Sequence, residues 1–478
     1  MHVYYQSYLF FHLFFIFIAL TISLTTNLYA TTTVYIQNNT SLSFNLKIEQ
    51  TGSTLDRTKW LMHRQTLPAW EPRSKVLTFN RNRGIKKGKS YFWKIKVLTE
   101  KDEEIAIFQH ELVGTTFFSD LKVLVNGAKI KSMDPQESKA LTETIGSWKH
   151  DTKIHSYEFS VNKMDFILKY KIDKGSNCDV TYLIHQKQPF PKNDIENGNK
   201  LFVLTYNTYG IFTQKTRDIQ KRFSALPEAI DGLGGEDILI FNEAFKNKPR
   251  QKLVEKLKNK YPYITKVIDA PLNKKLMNGG VFIASKWKIE KTDQLIYENC
   301  GFPDCFSAKG VQYIKIIKKG YPYHIFATHI NYDGHPEIRM KQLKELKNFV
   351  TSKKIPKDEA VIIGGDLNID INRFPYDYQR MLDTIDCSKP ELQGYRYSND
   401  TAINLRARLV ADEKVEQCRY DYILAQKGHI DPISASNEVR ICKSSSDSIW
   451  DSWEISDHFP VQGIFTFPKK KKEKLKVE

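Results

Sequence analysis

Five apolar runs, each delivering a side chain able to bind a metal or carry a proton, constrain this chain more than any other feature. Leu201-Phe-Val-Leu-Thr-Tyr-Asn207 ends in Asn207, Asp237-Ile-Leu-Ile-Phe-Asn-Glu243 in Glu243, and Tyr323-His-Ile-Phe-Ala-Thr-His329 in His329. Ala360 to Ile363 leads through Gly364 and Gly365 to Asp366 and Asn368, and Ile455-Ser-Asp-His-Phe-Pro-Val461 carries Asp457 and His458. Short continuous apolar runs read as buried strands. Asp366 and Asn368 are two apart, so in extended chain both leave on one face. The two glycines are read as a point where the backbone turns tightly or lets a ligand approach. One such run reads equally well as a strand entering an Asx turn. Five of them point to one site at a common sheet edge, with oxygen donors suited to a hard cation and a phosphate oxygen, a base and an acid.

The chain has 478 residues, which predicts two domains. From 31 to 191 short β-type runs alternate apolar with polar residues, among them Thr33–Gln37, Ser43–Ile48, Lys75–Phe79, Tyr91–Val97, Tyr157–Val161 and Phe166–Tyr170. This predicts an all-β sandwich-like accessory domain, with Trp60, Trp70 and Trp93 in its core. Residues 192–199, within a stretch rich in Pro, Asn and charge, read as a linker. From 200 to 468 strands alternate with helical patterns at 214–230, 252–260 and 338–350, where Pro227 predicts a break in the first. Such alternation, with chemistry at strand ends, is that of an α/β layered domain.

Residues 1–30 contain no Lys, Arg, Asp or Glu, and Leu9–Leu24 is apolar apart from His12. That layout is read as a secretory signal peptide cleaved after Ala30, with an uncleaved anchor as the alternative. Six cysteines fit an exported protein, and Cys300 and Cys305 share a loop short enough to bridge. The net charge of +17 favours an anionic partner but does not choose among them, since part of it is the basic tail 469–478.

Seven fragments in order resemble the endonuclease/exonuclease/phosphatase superfamily, and within it the secreted sphingomyelinases C: Tyr206-Asn207, Asn242-Glu-Ala-Phe245, Asn278-Gly-Gly-Val281, Thr328-His329, Gly365-Asp-Leu-Asn368, Tyr420-Asp-Tyr-Ile-Leu424 and Ser456-Asp-His-Phe-Pro460. The Asn-Glu-Ala-Phe fragment favours sphingomyelinases over nucleases, as does the loop from Cys300 to Gly310. Ile330 and Asn331 depart from the Thr-Gln of many bacterial members. The resemblance implies a deoxyribonuclease I-like α/β/β/α sandwich and a Mg²⁺-dependent phosphodiesterase that hydrolyses sphingomyelin to ceramide and phosphocholine, with Mn²⁺ or Co²⁺ as substitutes.

By chemistry and resemblance together, Glu243 is the primary metal ligand, Asn207 and Asp457 attend the metal or its water, and His458 is the general base. Asp421 would hold the second imidazole nitrogen. Asp366 and Asn368 would flank the scissile phosphate, and His329 would serve the leaving oxygen as acid or charge donor. Ile449, Trp450 and Trp453, in polar company just before Asp457, are read as a membrane-docking tip, the alternative being that the tryptophans pack inward. The expected partner is membrane sphingomyelin, with no nucleic-acid or protein partner. The rival readings are an exported nuclease of the same fold and a membrane-lytic protein with an inert enzyme half.

Overall fold

The computed structural model describes residues 31–470 apart from 82, 116–118, 128–141, 146–152, 174–176, 212–217, 272–273, 333–335 and 451, so the leader 1–30 and most of the basic tail lie outside the described residues. The chain divides after Pro189 into two compact units.

The first unit is two six-stranded sheets. Every run expected to be a strand is one, and within Ser90–Thr99 the residues Tyr91, Trp93, Ile95 and Val97 alternate inward. That period of two gives each sheet one apolar face, which the other sheet covers. Across the interface Phe79 stacks on Trp93 at 4.3 Å and Phe108 on Tyr182 at 3.9 Å. Trp60 joins this core, while Trp70 is only half-buried.

Six strands organise the second unit: β1 (Lys200–Asn207), β2 (Ile238–Asn242), β3 (Tyr321–His329), β4 (Ala360–Asp366), β5 (Asp421–Gln426) and β6 (Val461–Thr466). β2, β1 and β6 are adjacent in a seven-stranded sheet, and β3, β4 and β5 in a six-stranded one. Their continuous apolar runs follow from burial on both faces. Val203, Ile240, Ile325, Ile362 and Ile423 meet between the sheets. Their chain neighbours Leu204 and Leu239 face helix α1 (Ile219–Asp231) through Phe223 and Leu226. Val361, Ile363 and Leu424 face the helices Pro336–Ser352 and Pro375–Thr384 through Leu343, Leu346 and Met381. The result is the α/β/β/α sandwich expected.

Several local expectations fail for physical reasons. Helix α1 runs through Pro227 instead of breaking there, because Leu226, Ala229 and Ile230 on either side are buried against the sheet. The glycines before Asp366 make no turn: β4 continues to Asp366, and a Cβ on Gly365 would lie 1.8 Å from the Thr328 carbonyl oxygen. Glycine is there because the neighbouring strand leaves no room for a side chain. Residues 192–199 are no free linker, since Asn193 donates to the Gly234 and Gly235 carbonyls (3.0 and 2.6 Å) and Asn199 to that of Phe467 (2.6 Å). The tail is likewise fastened at its start, where the Lys470 amide donates to Tyr321 Oη at 3.0 Å.

Glu236, buried just before β2, is pushed by burial to about 7 from 4.5, although Gln462 (3.0 Å) and Tyr261 (3.4 Å) donate to it. Below pH 4.5 the folded and unfolded chains both hold this proton. As pH rises to about 7 only the unfolded chain releases it, so stability falls through that window and stays reduced above it. Glu236→Gln is therefore expected to match the wild type near pH 4.5 and to exceed it at pH 8 by about 1–3 kcal/mol in urea unfolding. An equal difference at both pH values would show that the carboxylate is ionised and satisfied.

Candidate active site

Strand direction decides which residues meet. β1 and β2 are parallel, with Asn207 opposite Asn242, so both end at one edge and Glu243 follows directly. β3 and β4 are also parallel and set His329 opposite Asp366. β5 and β6 run the other way and contribute their beginnings: Asp421 faces Asp366, and Val461 faces Thr205. Asp457 and His458 thus stand in the loop entering β6, not at a strand end as the sequence suggested. They reach the same edge because β6 is antiparallel to β1.

Glu243 occupies a left-handed conformation, with φ of 55°. It is rare for a residue with a side chain and costs on the order of 1 kcal/mol. The Ala244 amide donates to the Gly280 carbonyl and the Gly210 amide to that of Glu243, both at 2.9 Å. A Cβ on Gly280 would sit 3.0 Å from the Glu243 Cα, which gives the Asn278-Gly-Gly-Val281 fragment its reason. Asn207 then joins the two sheets: its Nδ2 donates to Glu243 Oε1 at 3.1 Å and to Asp366 Oδ2 at 2.9 Å. Asn242 adds a second link, donating to the Thr328 carbonyl at 2.9 Å.

His458 Nδ1 lies 2.8 Å from Asp421 Oδ2. Burial by itself would push this imidazole down, but the carboxylates of Asp421, Asp457 and Asp366 outweigh it and hold the pKa well above the usual histidine range. Ligand atoms of Asp366, Asp421 and His458 all lie within 4.8 Å of one another. Asn368 completes this side, its amide donating to Asp366 Oδ1 at 3.0 Å and its Nδ2 to the Ile330 carbonyl at 3.1 Å. Glu243 is pushed up to about 7 by burial and then by the nearby charge of Asp457. Two carboxylates sharing a desolvated pocket, with a carboxamide beside them, are a hard donor set, and a divalent cation between them would remove that cost. The residues fit such an ion.

His329 departs from expectation. Burial and the charge of Lys309 push it down to about 4, so its resting form is neutral. Its Nε2 is 3.1 Å from Lys309 Nζ and 3.7 Å from Asp366 Oδ2. The positive charge here belongs to Lys309, which also donates to the Ile330 carbonyl and to Asp304 Oδ2, both at 2.9 Å. The sequence pattern alone gives Lys309 and Asp304 no part, although both lie between Cys300 and Gly310. The available signal was a lysine just ahead of the buried strand Gly310–Lys318.

Arg222 was also missed, and nothing in the helical pattern marks it. From the buried face of α1 it donates to the carbonyls of Thr208 (2.8 Å), Tyr209 (2.7 Å) and Ile455 (2.6 Å), with Asp218 as counter-ion at 3.1 Å. One guanidinium therefore ties the loop after Asn207 to the loop before Asp457.

The expected docking tip is overturned. Ile449, Trp450 and Trp453 are 5, 7 and 1 % exposed, and the two indoles meet edge to face at 4.7 Å. The fully buried pair Lys443–Glu454 (3.3 Å) and the Ser444 amide bonded to the Trp453 carbonyl (2.8 Å) close the base of the segment. Ile449 packs into the core beside α1. In so short a closed loop the apolar side chains fill the interior beneath it. Cys300 and Cys305 do bridge, while Cys178, Cys387, Cys418 and Cys442 are buried.

The profile of the Endonuclease/Exonuclease/phosphatase family matches residues 204–458. The chain is 32% identical over 301 residues to a sphingomyelinase C of Listeria ivanovii, covering 58% of this chain and 87% of that one. It is 32% identical over 299 residues to one from Bacillus cereus, covering 56% and 89%. Of a sphingomyelinase C from Leptospira interrogans, 35% identical over 251 residues, it spans 44%, and 48% of this chain is matched. Among solved structures, a beta toxin mutant of Staphylococcus aureus with bound magnesium ions superposes with a TM-score of 0.51 at 29% identity, covering 56% of this chain and all of that one. With its site assembled at one edge of two packed sheets, this chain belongs to the endonuclease/exonuclease/phosphatase family, among the sphingomyelinases C.

Proposed function

We propose that the second unit hydrolyses sphingomyelin to ceramide and phosphocholine with Mg²⁺ as its cofactor, and that the protein is exported. The observation carrying this reading is that Asn207 hydrogen-bonds both Glu243 and Asp366 while His458 is held by Asp421. Glu243, Asn207 and Asp457 would hold the cation. When bound, it supplies charge against the phosphoryl oxygens and opposes the extra proton on His458, leaving that imidazole free to act as a base.

His458 Nε2 takes a proton from water as its oxygen attacks phosphorus. Asp421, on Nδ1, fixes the ring and stabilises the imidazolium that forms. Asp366 and Asn368 flank the phosphoryl group. The P–O bond to ceramide breaks, and the departing oxygen takes a proton from the neutral His329 imidazole while the Lys309 ammonium, 3.1 Å from its Nε2, gives one back to the ring.

The test is release of phosphocholine from sphingomyelin vesicles, with phosphatidylcholine and DNA as alternative substrates. Hydrolysis of sphingomyelin, lost in chelator and restored by Mg²⁺, is expected. The charge of +17 keeps a nuclease as the second reading. DNA cleavage that falls steeply with salt, without phosphocholine release, would establish it instead.

A further inference from the structure

With the tryptophans buried, the exposed apolar surface lies elsewhere. Among the described residues thirteen large apolar side chains are exposed, and five of them fall on one knot of chain: Leu276 (68 %), Met277 (37 %), Phe302 (75 %), Phe306 (46 %) and Tyr332 (58 %). The segments are bonded to each other. The amides of Leu276 and Met277 both donate to the Phe306 carbonyl at 3.0 Å, and the Ala308 amide donates to that of Met277 at 2.9 Å. The Tyr332 amide donates to Asp304 Oδ2 at 2.6 Å, and that of Gly301 to Asn331 Oδ1 at 2.8 Å. The ring of Phe302, inside the loop closed by the Cys300–Cys305 disulfide, meets that of Phe306, the residue just after it, edge to face at 5.5 Å.

We infer that this knot is the surface on which the enzyme rests on a phospholipid bilayer, a reading that builds on the phosphodiesterase assignment of the neighbouring site. Phenyl, thioether and phenol groups held on a hydrogen-bonded loop bury no core of their own, and they match the acyl–headgroup boundary. Lys274 is exposed beside Leu276, and the Lys275 ammonium lies 3.2 Å from the Cys305 carbonyl, so cations flank the patch as lipid phosphates require. The same loop carries Asp304, whose Oδ2 holds Lys309 and through it His329. A protein seated on the knot would cover the approach to that end of the site. A bilayer presents the scissile phosphate to it.

The test is the double variant Leu276→Ser with Phe302→Ser, which leaves the disulfide and the site residues in place. Vesicles of sphingomyelin and phosphatidylcholine, with and without phosphatidylserine, report binding by sedimentation. Turnover is measured on those vesicles and on a water-soluble choline phosphodiester. Vesicle binding and vesicle turnover are expected to fall about ten-fold or more, with soluble turnover within about two-fold of wild type. Unchanged vesicle binding overturns the inference. So does a loss on the soluble substrate equal to that on vesicles, which would place the residues in the catalytic machinery. Should the wild type turn over neither substrate, the functional assignment falls, while vesicle binding by the two proteins still decides the docking surface.

Discussion

Glu243→Gln is expected to lower kcat/KM on sphingomyelin about 10³-fold or more, the equivalent of the several kcal/mol that a bound metal ion contributes to phosphoryl transfer. The substitution keeps shape and the bond to Asn207 Nδ2, so a loss cannot come from a collapsed loop. Its thermodynamic signature runs the other way. Burial and Asp457 lift the Glu243 carboxyl to about 7, so in chelator it weakens the fold progressively as pH rises from 4.5 to about 7 and remains a cost above that. In chelator at pH 8 the variant should melt at or above the wild-type temperature. Added Mg²⁺ should raise the wild-type Tm, because a ligand that binds only the folded state stabilises it. It should leave the variant nearly unmoved. An active variant, or one that Mg²⁺ stabilises as it does the wild type, would remove Glu243 from the cation site.

His458→Ala is expected to reduce kcat by about 10²–10⁴, the usual worth of a positioned proton acceptor. Asp421→Asn should approach that loss while retaining the ring, since the amide cannot stabilise an imidazolium. In that variant the acid limb of the pH–rate profile should move to lower pH, because the carboxylate 2.8 Å from Nδ1 is a main cause of the raised pKa. The linkage has a definite sign. With the folded His458 pKa raised above 6.5, the imidazolium stabilises the fold below that value and loses its contribution as pH rises through the folded pKa. Burial raises the Asp421 carboxyl, whose ionisation at acid pH costs stability instead. Residues acting as one unit are not additive. Asp421→Asn placed on His458→Ala should therefore cost nothing further in kcat. A further loss of the same size would give Asp421 a part separate from the imidazole.

The family and the layered fold were legible in the chain, as was the meeting of several strand-ending polar residues at one edge, because parallel strands buried on both faces leave an unbroken apolar signature. A polar residue that ends such a run stands out. Lys309 and Arg222 gave no such signal, since a basic residue in a loop or on a helix looks solvated until its neighbours are known. Arg222 is wholly buried only because three carbonyls from two distant loops converge on it.

The tryptophans misled for the mirror-image reason. Polar residues around Trp450 and Trp453 suggested a wet loop, whereas the buried Lys443–Glu454 pair folds the segment onto the core. Phe302 and Leu276, twenty-six positions apart, drew no notice, yet hydrogen bonds between their segments put them on one surface.

The strands, the order of their chemical endings and the family resemblance can all be read from short stretches of the chain, because hydrophobic periodicity and residue type are local properties. Which charge serves His329, what clamps the loops of the site and which apolar residues meet solvent emerge once the chain is folded. Burial and long-range pairing belong to the packed chain, and no local window of residues contains them.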